Sequence, residues 1–294
     1  MTVTTPQPMA MALNINSLAF WKYRLEDQIL RFLLALLLLT LTPPMAGAQV
    51  RLASLNLCSD LLLLEYFPKE HIAGLTRQAS DQTLSPLAEQ AKALPQVTRN
   101  PEQLIKVQAD ILLLAQDLRF RSTGRKVNNE IKKIILGYPG SIQYWPESLR
   151  KIRDAGISLD AAAITDAKAA IESIDGILGS KTRVLMLAPR WFGLGNDHMA
   201  MQWLTIAGAR PWRDVNGWSM KLDPETLLLD PPDVIIMEDH GPAPSLATNL
   251  LDQRLTERLE TLGTNIVTSP PKYWTCPGPW SINWLKQLAM LLER

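Results

Sequence analysis

Apolar residues along this 294-residue chain fall into three kinds of pattern. The first is a nearly unbroken apolar run at residues 32–42, preceded by Arg31 and followed by Pro43, Pro44, Met45 and then Ala46-Gly47-Ala48. A positive residue, an apolar stretch too short to span a bilayer and an Ala-x-Ala site are the parts of a secretory signal peptide. Residues 1–48 are therefore expected to be a signal peptide, cleaved after Ala48 to leave Gln49 as the first mature residue. An uncleaved membrane anchor is the alternative. No cysteine closely follows the run, so export to the periplasm without a lipid anchor is expected.

The second pattern is a short continuous apolar run that recurs behind the same local signal. Residues 100–114 begin Asn-Pro-Glu and end Ala-Asp-Ile-Leu-Leu-Leu, and residues 223–237 begin Asp-Pro-Glu and end Pro-Asp-Val-Ile-Ile-Met. Each copy opens with a helix-capping side chain, a proline at the first helical position and an acid in the first turn. Each closes on a run without polar alternation, as expected of a strand buried on both faces of a parallel sheet. Each also lies downstream of another apolar run, Arg51–Asn56 or Arg183–Ala188. Together they predict a duplicated unit of strand, helix and parallel strand.

The third pattern has helical spacing. Ile164, Ala167, Ile171, Ile174 and Leu178 fall on one face, and Gly179 closes the segment. The expected fold is α/β, with two Rossmann-like lobes built on parallel sheets and joined by a single bridging helix. The N-terminal lobe is placed at 49–163, the bridge at 164–180 and the C-terminal lobe at 181–294. A last amphipathic helix is expected over Ser281–Arg294.

Composition narrows the function. Hydrophobic residues make up 47% and charged residues 20%, as in a soluble globular chain. The formal net charge is +1. Removing Lys22, Arg24, Arg31, Glu26 and Asp27 with the leader makes it zero. A neutral chain lacks the basic field that nucleic-acid binding requires, so no nucleic acid is expected as partner. Three histidines and two cysteines are too few for a zinc-finger or histidine-rich metal architecture. Neither a metal site nor a cofactor is expected.

Open parallel sheets bind ligands beyond the carboxyl ends of their strands. Those positions gather Asn56, Cys58, Arg99, Arg119 and Arg121 from the first lobe. From the second they gather Trp191, Trp218, Glu238, His240, Tyr273, Trp274, Cys276 and Trp280. Aromatic faces there suit a large, flat or greasy ligand, and the arginines suit its carboxylates or phosphates. Trp203, Trp212 and Trp284, on or beside predicted helices, read as packing residues. Ser122-Thr-Gly-Arg-Lys lacks the spacing of a phosphate loop.

The stretch from Arg51 through Asn56-Leu-Cys-Ser-Asp is similar to the first strand and loop of the substrate-binding proteins of iron–siderophore and vitamin B12 ABC importers. His71-Ile-Ala-Gly, Asn100-Pro-Glu, Ala109-Asp-Ile-Leu, Gly217-Trp-Ser-Met, Pro224-Glu, Pro232-Asp-Val and Trp274-Thr-Cys-Pro-Gly-Pro-Trp continue the resemblance, in order, over most of residues 50–294. The resemblance implies two α/β lobes on one rigid helix and a monomer that binds cobalamin or an iron complex, either ferric siderophore or haem. It implies delivery to ABC permease subunits of the inner membrane, with Glu102 and Glu225 as docking acids, one per lobe. It also implies ligand contacts at Trp191, Trp218 and Trp274. The chain departs from the pattern in its shorter bridge and in Gly137-Tyr-Pro-Gly-Ser-Ile-Gln-Tyr-Trp-Pro, which has no counterpart.

Cys58 and Cys276 follow the first and last strands and are expected at the cleft from opposite lobes. A disulfide, two free thiols and metal ligation are all open. The rival to a binding protein is an exported thiol enzyme or hydrolase with Cys58 as nucleophile. It needs a nearby base. His71 and His198 are not expected at the same strand end, and His240 lies in the other lobe, so no enzymatic activity is expected.

Overall fold

In the computed structural model of the chain, residues 50–116, 131–188, 192–239 and 253–292 are described. The expected signal peptide, Arg119, Arg121, Trp191 and His240 lie outside them.

The first lobe opens with β1 (Leu52–Ser54), whose three residues are all buried. The chain then turns into α1 (Leu57–Tyr66), capped by Asn56, whose Oδ1 accepts from the Ser59 amide at 3.0 Å. Residues Leu57 through Leu64 of α1 are all buried, so this helix is a core element and carries no solvent face over that span. Next come β2 (Ile72–Gly74), α2 (Ala88–Ala91), α3 (Pro101–Lys106), β3 (Ile111–Leu114), β4 (Lys132–Ile135) and α4 (Tyr144–Asp154). The sheet order is β2-β1-β3-β4, and every pair is parallel.

Bridging helix α5 (Ala163–Glu172) buries Ala163, Ile164, Ala167 and Ile171. It packs on α4 of the first lobe and on α9 (Pro279–Leu292) of the second. The helix is shorter than the 164–180 expected. Gly176 takes a φ of +71°, which an α-helix cannot contain, and its amide donates to the Ile206 carbonyl instead of continuing the helix. Ile174 and Leu178 are still buried, but in successive turns.

The second lobe contains β5 (Arg183–Ala188), β6 (Phe192–Leu194), α6 (Met199–Ile206), β7 (Arg210–Pro211), β8 (Ser219–Lys221), α7 (Pro224–Leu229), β9 (Val234–Glu238), α8 (Gln253–Thr261) and β10 (Asn265–Ser269). Its sheet runs β10-β9-β5-β6-β8, with β7 beside β5. Strands β10, β9 and β5 are parallel, whereas β6 is antiparallel to both β5 and β8. The second sheet is thus mixed, a correction to the all-parallel expectation. Only three residues separate β5 from β6, and a parallel return needs a crossover of about a dozen.

One hydrophobic cluster runs through both lobes, joining Leu61, Leu63 and Trp145 to Trp203, Trp274 and Leu285. Two smaller clusters lie under the outer helices, around Leu104 of α3 and Leu227 of α7. Both leucines are fully buried and occupy matching positions in the internal repeat. Below both capped helices, the repeat therefore serves the same packing purpose.

Candidate ligand-binding site

A cavity of about 310 Å³ is lined by Tyr138 and Pro139, which follow β4 of the first lobe, and by His198, Met199, Trp218, Glu238, Trp274 and Thr275 of the second. It therefore lies between the lobes. Glu238 ends β9, His198 caps α6, and Trp274–Thr275 follow β10, so the second-lobe wall is largely built at strand carboxyl ends, where α/β sheets bind ligands. A further cavity of about 410 Å³, bordered by Arg51, Gln96, Gln103 and Lys106, lies beside α3 and shares no residue with the inter-lobe cavity. Its polar groups do not converge with the aromatic wall.

Trp218 is held out into the inter-lobe cavity by a close backbone approach. The Gly195 amide donates to the Trp218 carbonyl at 3.0 Å, and the Asp197 amide donates to the Gly217 carbonyl at 3.1 Å. Gly217 has φ +116°, a conformation open to glycine alone at little strain. A side chain at Gly195 would run into the Gly217 carbonyl oxygen. The result is a tryptophan left 56% exposed. Its ring meets that of His198 edge to face, 5.6 Å between centroids.

His198 is half-buried, and its Nδ1 accepts from the Ala200 amide at 3.2 Å as the cap of α6. Burial holds its pKa below the ordinary histidine value. Trp274 forms a floor and is almost wholly buried, its ring 5.0 Å from that of Trp284. The segment behind it is held tightly: Trp280 Nε1 donates to the Cys276 carbonyl at 2.7 Å and Ser281 Oγ to the Tyr273 carbonyl at 2.6 Å.

Cys58 and Cys276 are joined as a disulfide, with Cα atoms 5.2 Å apart, and no cysteine is free. This settles the three open possibilities in favour of the cross-link. Neither sulfur is available as thiolate nucleophile or metal ligand, so the thiol-enzyme alternative loses its nucleophile. The link fastens α1 to the segment preceding α9, one lobe to the other.

Other expected site residues are placed elsewhere. The Asn56 side chain is engaged at the α1 cap, with Nδ2 donating to Ser59 Oγ at 2.8 Å, and it does not border the inter-lobe cavity. Arg99 is exposed in the loop before α3 and does not border the inter-lobe cavity. Tyr273, the last residue of the 3₁₀ turn Pro271–Tyr273, borders a separate cavity of about 140 Å³ with Trp284 and Leu288. Glu102 and Glu225 are exposed in the first turns of α3 and α7, behind caps Asn100 and Asp223. Trp203, Trp212 and Trp284 are buried.

Tyr138, Pro139, His198, Met199 and Thr275 line the cavity although sequence reasoning did not select them. Tyr138 sits in the segment that departs from the family pattern, and that departure was the available signal. His198 directly precedes the apolar helix Met199–Ile206, where a capping side chain belongs. Asp60 does not border the cavity. It is fully buried on α1, accepts from the Thr76 amide at 3.1 Å and from the Thr76 hydroxyl, and is pushed up to about 7 by burial.

Comparison with solved structures gives the same architecture. The periplasmic haem-binding protein HutB of Vibrio cholerae superposes with a TM-score of 0.63 at 14% identity, covering 84% of this chain and 100% of that one. The periplasmic vitamin B12-binding protein BtuF of Vibrio cholerae gives 0.58 at 12% identity, covering 83% and 96%. FhuD2 of Staphylococcus aureus with bound ferrioxamine B gives 0.52 at 13% identity, covering 83% and 98%. No family model and no curated protein sequence matches the chain. At these identities the similarity establishes the fold: this chain has the two-lobed α/β fold of these binding proteins.

Proposed function

We propose that the protein is an exported, periplasmic substrate-binding protein of the iron–siderophore and vitamin B12 importer family, acting as a monomer. Its ligand is an iron complex, ferric siderophore or haem, or a cobalamin, and it delivers that ligand to an inner-membrane ABC permease. The observation that carries this reading is the aromatic-walled cavity between the lobes, with Trp218 exposed above a Trp274 floor. An exposed tryptophan face beside a half-buried imidazole offers a flat ligand a surface to stack on.

The join between the lobes supports the same reading. Bridging helix α5, a shared hydrophobic core and the Cys58–Cys276 disulfide all tie one lobe to the other. Such a molecule binds by a preformed cleft with little hinge opening. Glu102 and Glu225, one exposed acid on each lobe, are the groups we assign to contact with basic residues of the permease.

The test is a titration of the protein from Gln49 onward with hemin, cyanocobalamin and ferric siderophores, following tryptophan fluorescence and the absorbance of retained ligand. Saturable quenching at micromolar concentration or below by one of them is expected. Trp218→Ala should weaken that binding about ten-fold or more, as loss of an aromatic stacking face does, while leaving the melting temperature within a few degrees. Silence from every ligand with a folded protein would refute the proposal.

A further inference from the structure

The cavity contains one side chain whose protonation pattern is fixed by the backbone, and this bears on how the ligand is read. His198 Nδ1 accepts a hydrogen bond from the Ala200 amide. An imidazole nitrogen that accepts carries a lone pair and no proton, so in the neutral ring the proton resides on Nε2. Burial disfavours the doubly protonated cation. The ring lines the cavity and meets the edge or face of Trp218, and among the described residues Nε2 makes no hydrogen bond.

From this geometry we infer that His198 is a specificity-determining donor: its Nε2–H hydrogen-bonds an oxygen acceptor, carboxylate or amide carbonyl, on the rim of a ligand stacked against Trp218, and it does not ligate a metal. Metal ligation through Nε2 would require the proton to move to Nδ1, where it would oppose the Ala200 N–H and undo the cap of α6. The iron or cobalt of the ligand is then held by the ligand's own donors or by groups other than His198. The cavity selects the organic periphery. This inference rests on the binding-protein reading and specifies which part of the ligand that site recognises.

The test uses two substitutions that each copy one half of the imidazole. Asn at a helix cap reproduces the Nδ1 acceptor, whereas Gln reaches further and reproduces the Nε2 donor. Tautomer state is read directly from the ¹⁵N resonances of His198 in the unliganded full-length mature protein between pH 6 and 8. Affinities for hemin, cyanocobalamin and ferrioxamine B are measured for wild type, His198→Asn and His198→Gln. The expected result is an Nε2-protonated neutral ring, an approximately ten-fold loss of affinity in His198→Asn for the ligand that binds, and recovery of most of it in His198→Gln. For hemin, the visible spectrum of the bound ligand should be the same in wild type and His198→Asn.

An Nδ1-protonated ring, unchanged affinity in His198→Asn, or loss of a histidine-ligated haem spectrum in that variant would overturn the inference while leaving the binding-protein reading intact. Failure of all three ligands to bind wild type would overturn both.

Discussion

Replacing Cys58 and Cys276 together by alanine isolates the contribution of the disulfide to the join between the lobes. The two residues are 218 positions apart. Closing a loop of that length removes chain entropy from the unfolded state amounting to about 5 kcal/mol at 25 °C, near the top of the usual range. For a unit of this size each kcal/mol moves the melting temperature by roughly 2–4 °C, so a fall of about 10–20 °C is expected. Alanine rather than serine is the right replacement, because Cys58 is 8% exposed and Cys276 1%, and a buried hydroxyl without a partner would add its own penalty. The assay is calorimetry of wild type and the double variant, with circular dichroism to establish that both begin folded. The same burial predicts that dithiothreitol reduces the wild type slowly under native conditions and quickly after denaturation. A double variant melting within about 2 °C of the wild type would refute the reasoning, since it would mean that the denatured chain gains almost no freedom when the link is cut.

Asp60 predicts a pH dependence of stability. Its folded pKa of about 7 lies above the ordinary carboxylate value of 3.8, so the folded protein binds more protons than the unfolded chain between those limits. Its contribution is therefore fully present below about pH 4 and is lost as pH rises to about 7, by up to roughly 4 kcal/mol. In Asp60→Asn that slope should disappear from urea-unfolding curves taken across the window; a parallel slope in the variant would assign it elsewhere. Gly195→Ala should displace the Gly217–Trp218 backbone, destabilise by about 1–3 kcal/mol and shift the exposed tryptophan's fluorescence; unchanged emission and ligand affinity would show that the backbone absorbs the methyl group. Trp274→Ala should behave unlike Trp218→Ala and cost about 3–5 kcal/mol of stability, because its ring is packed in the core. Glu102→Lys with Glu225→Lys should leave ligand affinity and melting temperature nearly unchanged while abolishing uptake in cells; full uptake would remove both acids from the docking assignment.

Much of the fold is readable from neighbouring residues because its causes are local. Asn100 and Asp223 cap their helices with their own side chains, a proline and an acid follow each, and the apolar runs Ile111–Leu114 and Val234–Ile236 are buried as their lack of alternation predicts. The strand-end rule also selected Trp218 and Trp274, and both line the inter-lobe cavity, although Trp218 precedes β8 instead of following a strand. The sequence also registers, as a break in the family pattern, the segment that brings Tyr138 to the cavity.

What the tertiary structure alone decides depends on distances between residues far apart in the chain. Whether Cys58 and Cys276 meet is a matter of 5.2 Å between Cα atoms of residues 218 positions apart, and no local spacing encodes it. The antiparallel β6 and β8, the ending of the bridging helix at Glu172 and the placing of Tyr273 beside Trp284 arise from the partners each segment meets. The same holds for chemistry. Asp60 resembles any first-turn carboxylate until α1 is buried on all sides, and His198 resembles any surface imidazole until the start of α6 takes its Nδ1 and leaves Nε2 in the cleft. Local propensity fixes which element a residue belongs to. Burial and long-range contact set what its side chain can do there, because desolvation and hydrogen-bond partners exist only once the lobes have packed.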